Sequence, residues 1–329
     1  MTPRSPIPKQ APEIGHPTVS SPTTASYTFA DFLTVGYAAL VGFLILLFHN
    51  ATVANWGWLA GSHLALIVGI HALIRSQARW PHWKLLELVR YAYPLPLYAW
   101  LYGETGWLNR MFVPQYLDST IIRWEQSLFG CQPSLKFMEA APWLALSELF
   151  YAAYFSYYLM IGGVGLALYF RDRRQFLHFV SVISFVFYIC YLFYIFLPIV
   201  GPPVFFRELT GWSLPDELQK LAVASAYPES VKPGIFYRLM AWIYSGFEAP
   251  GAAMPSSHVA IAMSTVWFSF RYLRSIRYFH LLIATLLCLA TVYCRYHYAL
   301  DVITGLMTVA ILLPLGNWIY FRIYPSSRS

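Results

Sequence analysis

Charge is the scarcest resource in this chain: Asp, Glu, Lys and Arg make up 11% of its 329 residues. An ordinary soluble domain carries nearer about 25%. So little charge, with 58% hydrophobic residues, excludes a soluble globular protein and a disordered one. Cysteine is also sparse. The four cysteines are too scattered for a disulfide framework or a zinc site, and Cys190, Cys288 and Cys294 fall in or beside apolar runs. No cluster of His, Cys, Asp and Glu has metal-ligand spacing, so no metal and no cofactor is expected. The net charge of +7 is spread as short clusters between apolar runs. That distribution points to membrane topology rather than to a nucleic-acid surface.

What the chain has instead is aromatic and apolar length. Aromatics reach 19%, and Trp and Tyr collect at bilayer interfaces. Eight apolar stretches approach the roughly 20 residues that cross a hydrocarbon core as a helix. They cover 30–49, 54–74, 85–103, 145–169, 176–198, 257–274, 278–296 and 301–321. Backbone groups in lipid must be satisfied internally, which selects helices. The expected fold is therefore all-α, a polytopic membrane bundle of about eight transmembrane helices. Residues 1–27, rich in Pro, Ser and Thr, read as a disordered cytoplasmic tail. Residues 28–84 read as two N-terminal spans, and 85–329 as the main membrane domain.

Basic residues orient the bundle. Arg4 and Lys9; Arg75, Arg79 and Lys84; Arg171, Arg173 and Arg174; Arg271, Arg274 and Arg277; and Arg322 and Arg328 all fall on one side if the N-terminus is inside. The positive-inside rule then makes both termini cytoplasmic. It leaves segments 104–144 and 199–256 outside. Both are long for loops, and long loops tend to be functional. "STIIRWEQSLFG" places Ile121, Trp124 and Leu128 at helical spacing, closed by Gly130. "GIFYRLMAWIYSGF" does the same with Phe236, Leu239, Met240, Ile243 and Tyr244. Such helices lie on the membrane surface or pack on the spans as lids.

Three motifs converge at the outer edge: "GPP" at Gly201–Pro203, "PSSH" at Pro255–His258 and "RYHYALD" at Arg295–Asp301. His297 and Asp301 stand four apart, on one face if the segment is helical. An Asp beside a His fixes its tautomer and supports positive charge on the ring. Such an imidazole is a nucleophile for phosphorus. Pro255 suits the first turn of a helix. The free amides of Ser256, Ser257 and His258 would then cradle an anion, and His258 would serve as general acid. Arg295 supplies a planar cation suited to phosphate. Each feature has a plainer reading: a His–Asp tie between helices, a helix cap, an arginine snorkelling to headgroups. Glu87 and Arg90 are spaced to pair with each other, and Glu104 and Glu148 to reach the outer face. The other histidines, His63 among them, lack acidic partners at useful spacing and read as packing or interfacial.

A Pro-Ser-x-His followed by a distal His-x-x-x-Asp resembles the type 2 phosphatidic acid phosphatase superfamily. The resemblance implies a six-helix catalytic core over roughly residues 85–321. It implies His297 as the nucleophile forming a phosphohistidine, Asp301 as its support and His258 as the acid to the leaving group. The phosphatases' Lys-x6-Arg-Pro string is missing, and Arg295 stands two residues before His297 rather than six. Ser257 occupies the place of a usual Gly. These departures resemble the inositol phosphorylceramide synthase branch, as do "LPIVGPP" followed by Arg207 and "VRYAYPLPLY" with Arg90. The implied activity is transfer of a phosphorylated headgroup from a phospholipid donor to a lipid acceptor at the extracytoplasmic face. Hydrolysis, with water as acceptor, is the alternative, and Arg207 is a further candidate phosphate ligand. A transporter with a His–Asp proton relay is the rival from another class. It would place these groups near the midplane, not at span ends.

Overall fold

The computed structural model describes residues 27–208, 227–247 and 251–325. Thirteen helices and no strand occur among them: the protein is all-α. Five helices are long and apolar enough to cross a membrane. These are α1 (Phe29–Phe48), α2 (Trp56–Arg79), α7 (Leu144–Arg171), α8 (Arg173–Phe196) and α13 (Ala299–Ile323). Their outer faces expose large apolar side chains such as Phe43, Leu64, Leu159, Phe170 and Ile311. Water would not tolerate apolar faces of that extent, whereas lipid solvates them. The protein is an integral membrane protein.

α8 is the hub. Val180, Ile183, Phe187, Tyr191 and Tyr194 are all buried along it, and α1, α4, α7, α11 and α13 pack around it. α11 (Ser257–Tyr272) and α12 (Arg277–Tyr293) have 16 and 17 residues. At 1.5 Å per residue they are about 24–26 Å long, short of the ~30 Å hydrocarbon core. α11 is sheltered by its neighbours over nearly its whole length, so it has little need to match the lipid.

The expected span 85–103 is two helices, α3 (Lys84–Ala92) and α4 (Pro94–Leu108), meeting at Tyr93. Pro94 lacks the N–H an unbroken helix would use there. Nor do Glu87 and Arg90 pair with each other, as their spacing suggested. Arg90 turns inward, donating to Asp31 Oδ1 from Nη1 at 2.8 Å and to Oδ2 from Nη2 at 2.5 Å. Glu87 takes Arg173 at 3.0 Å instead. The same Asp31 carboxylate closes the capping box of α1, accepting from the Thr28 amide at 2.6 Å, and also accepts from the Tyr93 hydroxyl at 2.9 Å.

α5 (Asp118–Phe129) and α6 (Pro133–Ala140) follow α4. Gly130 ends α5 at φ 68°, the left-handed turn expected of it. The buried face of α5 differs from the expected one, however. Ile121 is inside, but Trp124 and Leu128 are exposed, and Asp118, Ile122 and Glu125 complete the inner face. After α9 (Pro202–Glu208), α10 (Ile235–Phe247) buries Met240 and packs Phe236, Ile243 and Tyr244 on α7. Of the two readings of this helix, packing on the spans is the observed one. Glu148 of α7 caps it, accepting from the Phe236 and Tyr237 amides at 3.0 and 3.2 Å. At the other end of α7, Arg171 joins Arg271 and Arg274 around a basic cavity of 950 Å³.

Candidate functional site

The three sequence motifs meet. Residues 197–201, where α8 ends, run beside 251–255, with the Ala253 amide donating to the Ile199 carbonyl at 2.9 Å. α11 and α13 then touch at their N-termini, because the Ser256 amide donates to the Asp301 carbonyl at 3.0 Å. Gly305 permits this approach: a Cβ there would stand 2.7 Å from the Ser256 carbonyl oxygen.

That joint sets His258 against His297. His258 Nδ1 lies 3.3 Å from His297 Nε2, and His297 Nδ1 lies 3.2 Å from Asp301 Oδ2. All three are buried, at 9%, 3% and 0% exposure. The His–Asp contact is the one its spacing suggested, by a different route. His297 precedes α13, which begins at Ala299, so the two residues do not share a helical face. Asp301 instead closes the helix cap, accepting from the Tyr298 amide at 2.9 Å, and takes His297 with the same oxygen. With Nδ1 held by Asp301, Nε2 is the nitrogen left to react. The direct contact of the two rings leaves no space for another group between the facing nitrogens.

The serines are more committed than their sequence suggested. Pro255 lies one place ahead of the cap rather than in the first helical turn, and Ser256 is the N-cap, accepting from the Val259 amide at 3.4 Å. The Ser256 amide is given to Asp301, and the Ser257 amide to the Tyr194 hydroxyl at 3.1 Å. Tyr194 in turn donates to the Pro255 carbonyl at 2.8 Å. Ser257 lines an adjacent cavity. Arg295 is buried in a left-handed turn, φ 63°. Its described contacts run to the Leu135 carbonyl at 3.5 Å and the Tyr227 ring at 5.4 Å, not to either histidine. Burial pushes its pKa down. Arg207 stands in α9, and its side chain lies outside the described residues.

Several residues that sequence reasoning did not single out frame the site. Asp118 accepts from the Val200 and Gly201 amides at 3.0 and 2.9 Å and from the Tyr298 hydroxyl at 2.9 Å. It thereby ties α5 to both the "GPP" turn and the histidine turn. Glu125 accepts from the Leu300 amide at 3.1 Å, at the start of α13. The available signal was their i, i+7 spacing on the face that holds Ile121 and Ile122. Burial, the larger influence, raises Asp118 to about 6 and Glu125 to about 7. A carboxyl raised in the folded state binds more protons folded than unfolded between its two pKa values, so stability falls as pH rises through that window. For Glu125 the window runs from 4.5 to about 7. We expect the melting midpoint to decline across it, and Glu125→Gln to flatten the decline. An unchanged slope in the variant would refute this assignment.

Two other acidic residues resolve differently. Glu148 caps a helix, as described. Glu104 stands against His63, Oε1 3.0 Å from Nε2 and both buried, close enough for an ion pair but not aligned as a hydrogen bond. His63 therefore does have an acidic partner, brought from another helix rather than from nearby sequence.

A cavity of 520 Å³ opens beside the histidines. Tyr98 and Tyr102 of α4, Tyr157 and Ile161 of α7, and Phe187 and Tyr191 of α8 line it. Ser257 and His258 stand at its polar end. The fold and site thus define a polytopic membrane protein with a buried His–His–Asp cluster beside an apolar chamber. A family model, the PAP2 superfamily, matches residues 119–315, and the chain belongs to that superfamily. Membership is consistent with lipid phosphatase or phosphotransferase chemistry. No curated protein and no solved structure matches the chain. Helices α1–α4, including the α4 wall of the chamber, precede the matched region.

Proposed function

We propose that the protein is a lipid phosphotransferase working through a phosphohistidine at His297. The buried cluster of His258, His297 and Asp301 at the end of an apolar chamber carries this reading. In the first half-reaction His297 Nε2 attacks phosphorus, and an N–P bond forms as the bond to the lipid oxygen breaks. His258 Nδ1 gives its proton to that departing oxygen. Asp301 stabilises the charge gained by the His297 ring. In the second half-reaction an acceptor hydroxyl attacks phosphorus, the N–P bond breaks, and His258 takes the acceptor's proton. The Ser257 hydroxyl is the donor we place on the phosphate. Arg295 contributes positive potential around it.

Transfer is favoured over hydrolysis because the reacting groups are buried and the chamber wall is aromatic. A phosphohistidine protected from water survives until a lipid hydroxyl arrives. The departures from the phosphatase motifs point the same way, toward a headgroup donor such as phosphatidylinositol and an acceptor such as ceramide. The basic residues clustered at the opposite helix ends support a site on the extracytoplasmic side, with both termini cytoplasmic.

The test supplies purified protein with phosphatidylinositol and either ceramide or diacylglycerol. New phosphoinositol lipid is the expected product. Release of water-soluble phosphate compounds alone would replace transfer by hydrolysis, and turnover that survives His297→Ala would overturn the mechanism.

A further inference from the structure

The hydrogen-bonded chain through the site does not stop at His258. Its second ring nitrogen, Nε2, lies 3.1 Å from the hydroxyl of Tyr154 on α7. That hydroxyl lies 2.5 Å from the hydroxyl of Tyr244 on α10. Both tyrosines also pack on Tyr296, one residue before His297, with ring centroids at 4.6 and 4.0 Å. The Tyr154 ring also lies tilted against the His258 ring, with centroids 5.0 Å apart. The sequence Tyr244–Tyr154–His258–His297–Asp301 thus joins four helices and the histidine turn in one line of polar contacts.

Each member has a chemical reason to be where it is. His258 must present Nδ1 to the reacting oxygen, so Nε2 needs a fixed partner. That partner sees two states of the ring. When His258 is neutral with its proton on Nδ1, Nε2 is an acceptor and needs a donor. When the ring holds both protons, or has just given up the one on Nδ1, Nε2–H is a donor and needs an acceptor. A hydroxyl serves both states by rotating, whereas an ammonium or a carboxylate serves one. Tyr154 is such a hydroxyl, 0% exposed. Its own second partner, Tyr244, is again a hydroxyl and can reverse with it.

We propose that Tyr154 is a positioning residue for His258. It keeps Nδ1 as the nitrogen that delivers and recovers the proton, and Tyr244 links this function to the docking of α10. The proposal rests on the phosphohistidine reading for its kinetic consequence, but not for its structural content. During lipid departure the proton leaves Nδ1 for the lipid oxygen, while the proton on Nε2 stays, accepted by Tyr154. In the second half-reaction the acceptor's proton returns to Nδ1. No net proton passes along the tyrosines.

The outer helix gains a role by this route. α10 contributes no group to the phosphate. Through Tyr244 it nevertheless bears on the acid. α10 is held on α7 by Glu148, whose carboxylate accepts from the Phe236 and Tyr237 amides. A Cβ at Gly234 would strike that carboxylate, at 2.2 Å from Oε1.

The experiment compares the full-length protein with Tyr154→Phe and Tyr244→Phe. Both variants keep the ring and lose only the hydroxyl. Nitrogen NMR on histidine-labelled protein follows His258, assigned by the signal missing in His258→Gln. In Tyr154→Phe the Nε2 resonance of His258 should move. Those of His178 and His280, which bond to other partners, should stay. In steady-state assays kcat should fall about 10-fold at unchanged KM, a part of the ~10²–10⁴ that acid–base catalysis supplies. Tyr244→Phe should give a smaller loss in the same direction. An unmoved His258 Nε2 resonance overturns the proposal, and so does a loss confined to KM or to melting midpoint. If the wild-type protein turns over no lipid phosphoester, the phosphohistidine reading fails, while the resonances still decide whether Tyr154 holds His258.

Discussion

Replacing His297 with glutamine should abolish turnover, with a loss on the order of 10⁴-fold or more, the scale seen when a covalent nucleophile is removed. Glutamine fills a similar volume and can still hydrogen-bond Asp301 and His258, so the fold should survive. What it lacks is an aromatic nitrogen able to take phosphorus and release it. Asp301→Asn should fall short of that loss, because the ring remains but its Nδ1 tautomer is no longer enforced, as in hydrolase triads. The matching direct measurement is a pulse with headgroup-labelled lipid, quenched at high pH. Wild type should carry label on histidine, stable to base and lost in acid, and His297→Gln should carry none. Label retained on the variant would move the nucleophile elsewhere.

The largest effect on stability should come from Asp31→Ala, far from the histidines. Phe29, beside Asp31, packs on Tyr320 near the C-terminal end of α13, at 6.4 Å between rings, whereas the histidine turn lies at the N-terminal end of the same helix. Asp31 is 0% exposed and Arg90 2%. Removing the carboxylate takes two hydrogen bonds from a buried guanidinium, frees the Tyr93 hydroxyl and opens the cap of α1 together. A loss of about 3–5 kcal/mol is expected for breaking a buried pair from one side. The activity of the molecules that remain folded should be unchanged. Replacing both partners, Asp31→Leu with Arg90→Leu, should cost less than either single change, because neither charge is left buried without the other. Equilibrium unfolding in micelles measures all three. A double variant no better than the singles would mean that the pair contributes net stability rather than merely avoiding a penalty.

Much of the fold was legible because lipid imposes a simple rule. A backbone in hydrocarbon must satisfy itself, so the apolar runs at 29–48, 56–79, 144–171, 173–196 and 299–323 could be little else than helices. Gly130 marked a helix end for an equally local reason. The His297–Asp301 contact was legible because residue type and spacing survive without coordinates. Spacing failed where partners come from distant segments. Nothing local tells Arg90 to choose Asp31 over Glu87, or His63 to meet Glu104. The exposed side of α5 was misjudged for a related reason. At that position apolar Trp124 and Leu128 face outward, while Asp118 and Glu125 are drawn inside by backbone amides of other segments.

The sequence by itself determined that this is a helical membrane protein carrying two histidines and an aspartate at the ends of apolar runs. Those properties follow from composition, run length and side-chain chemistry, which are carried residue by residue. Only the tertiary structure decided which amides at the start of α11 are already taken, that His297 meets Asp301 through a helix cap, and that Tyr154 and Tyr244 back His258. Hydrogen bonds are short and directional, so those choices depend on where five separate segments come to rest.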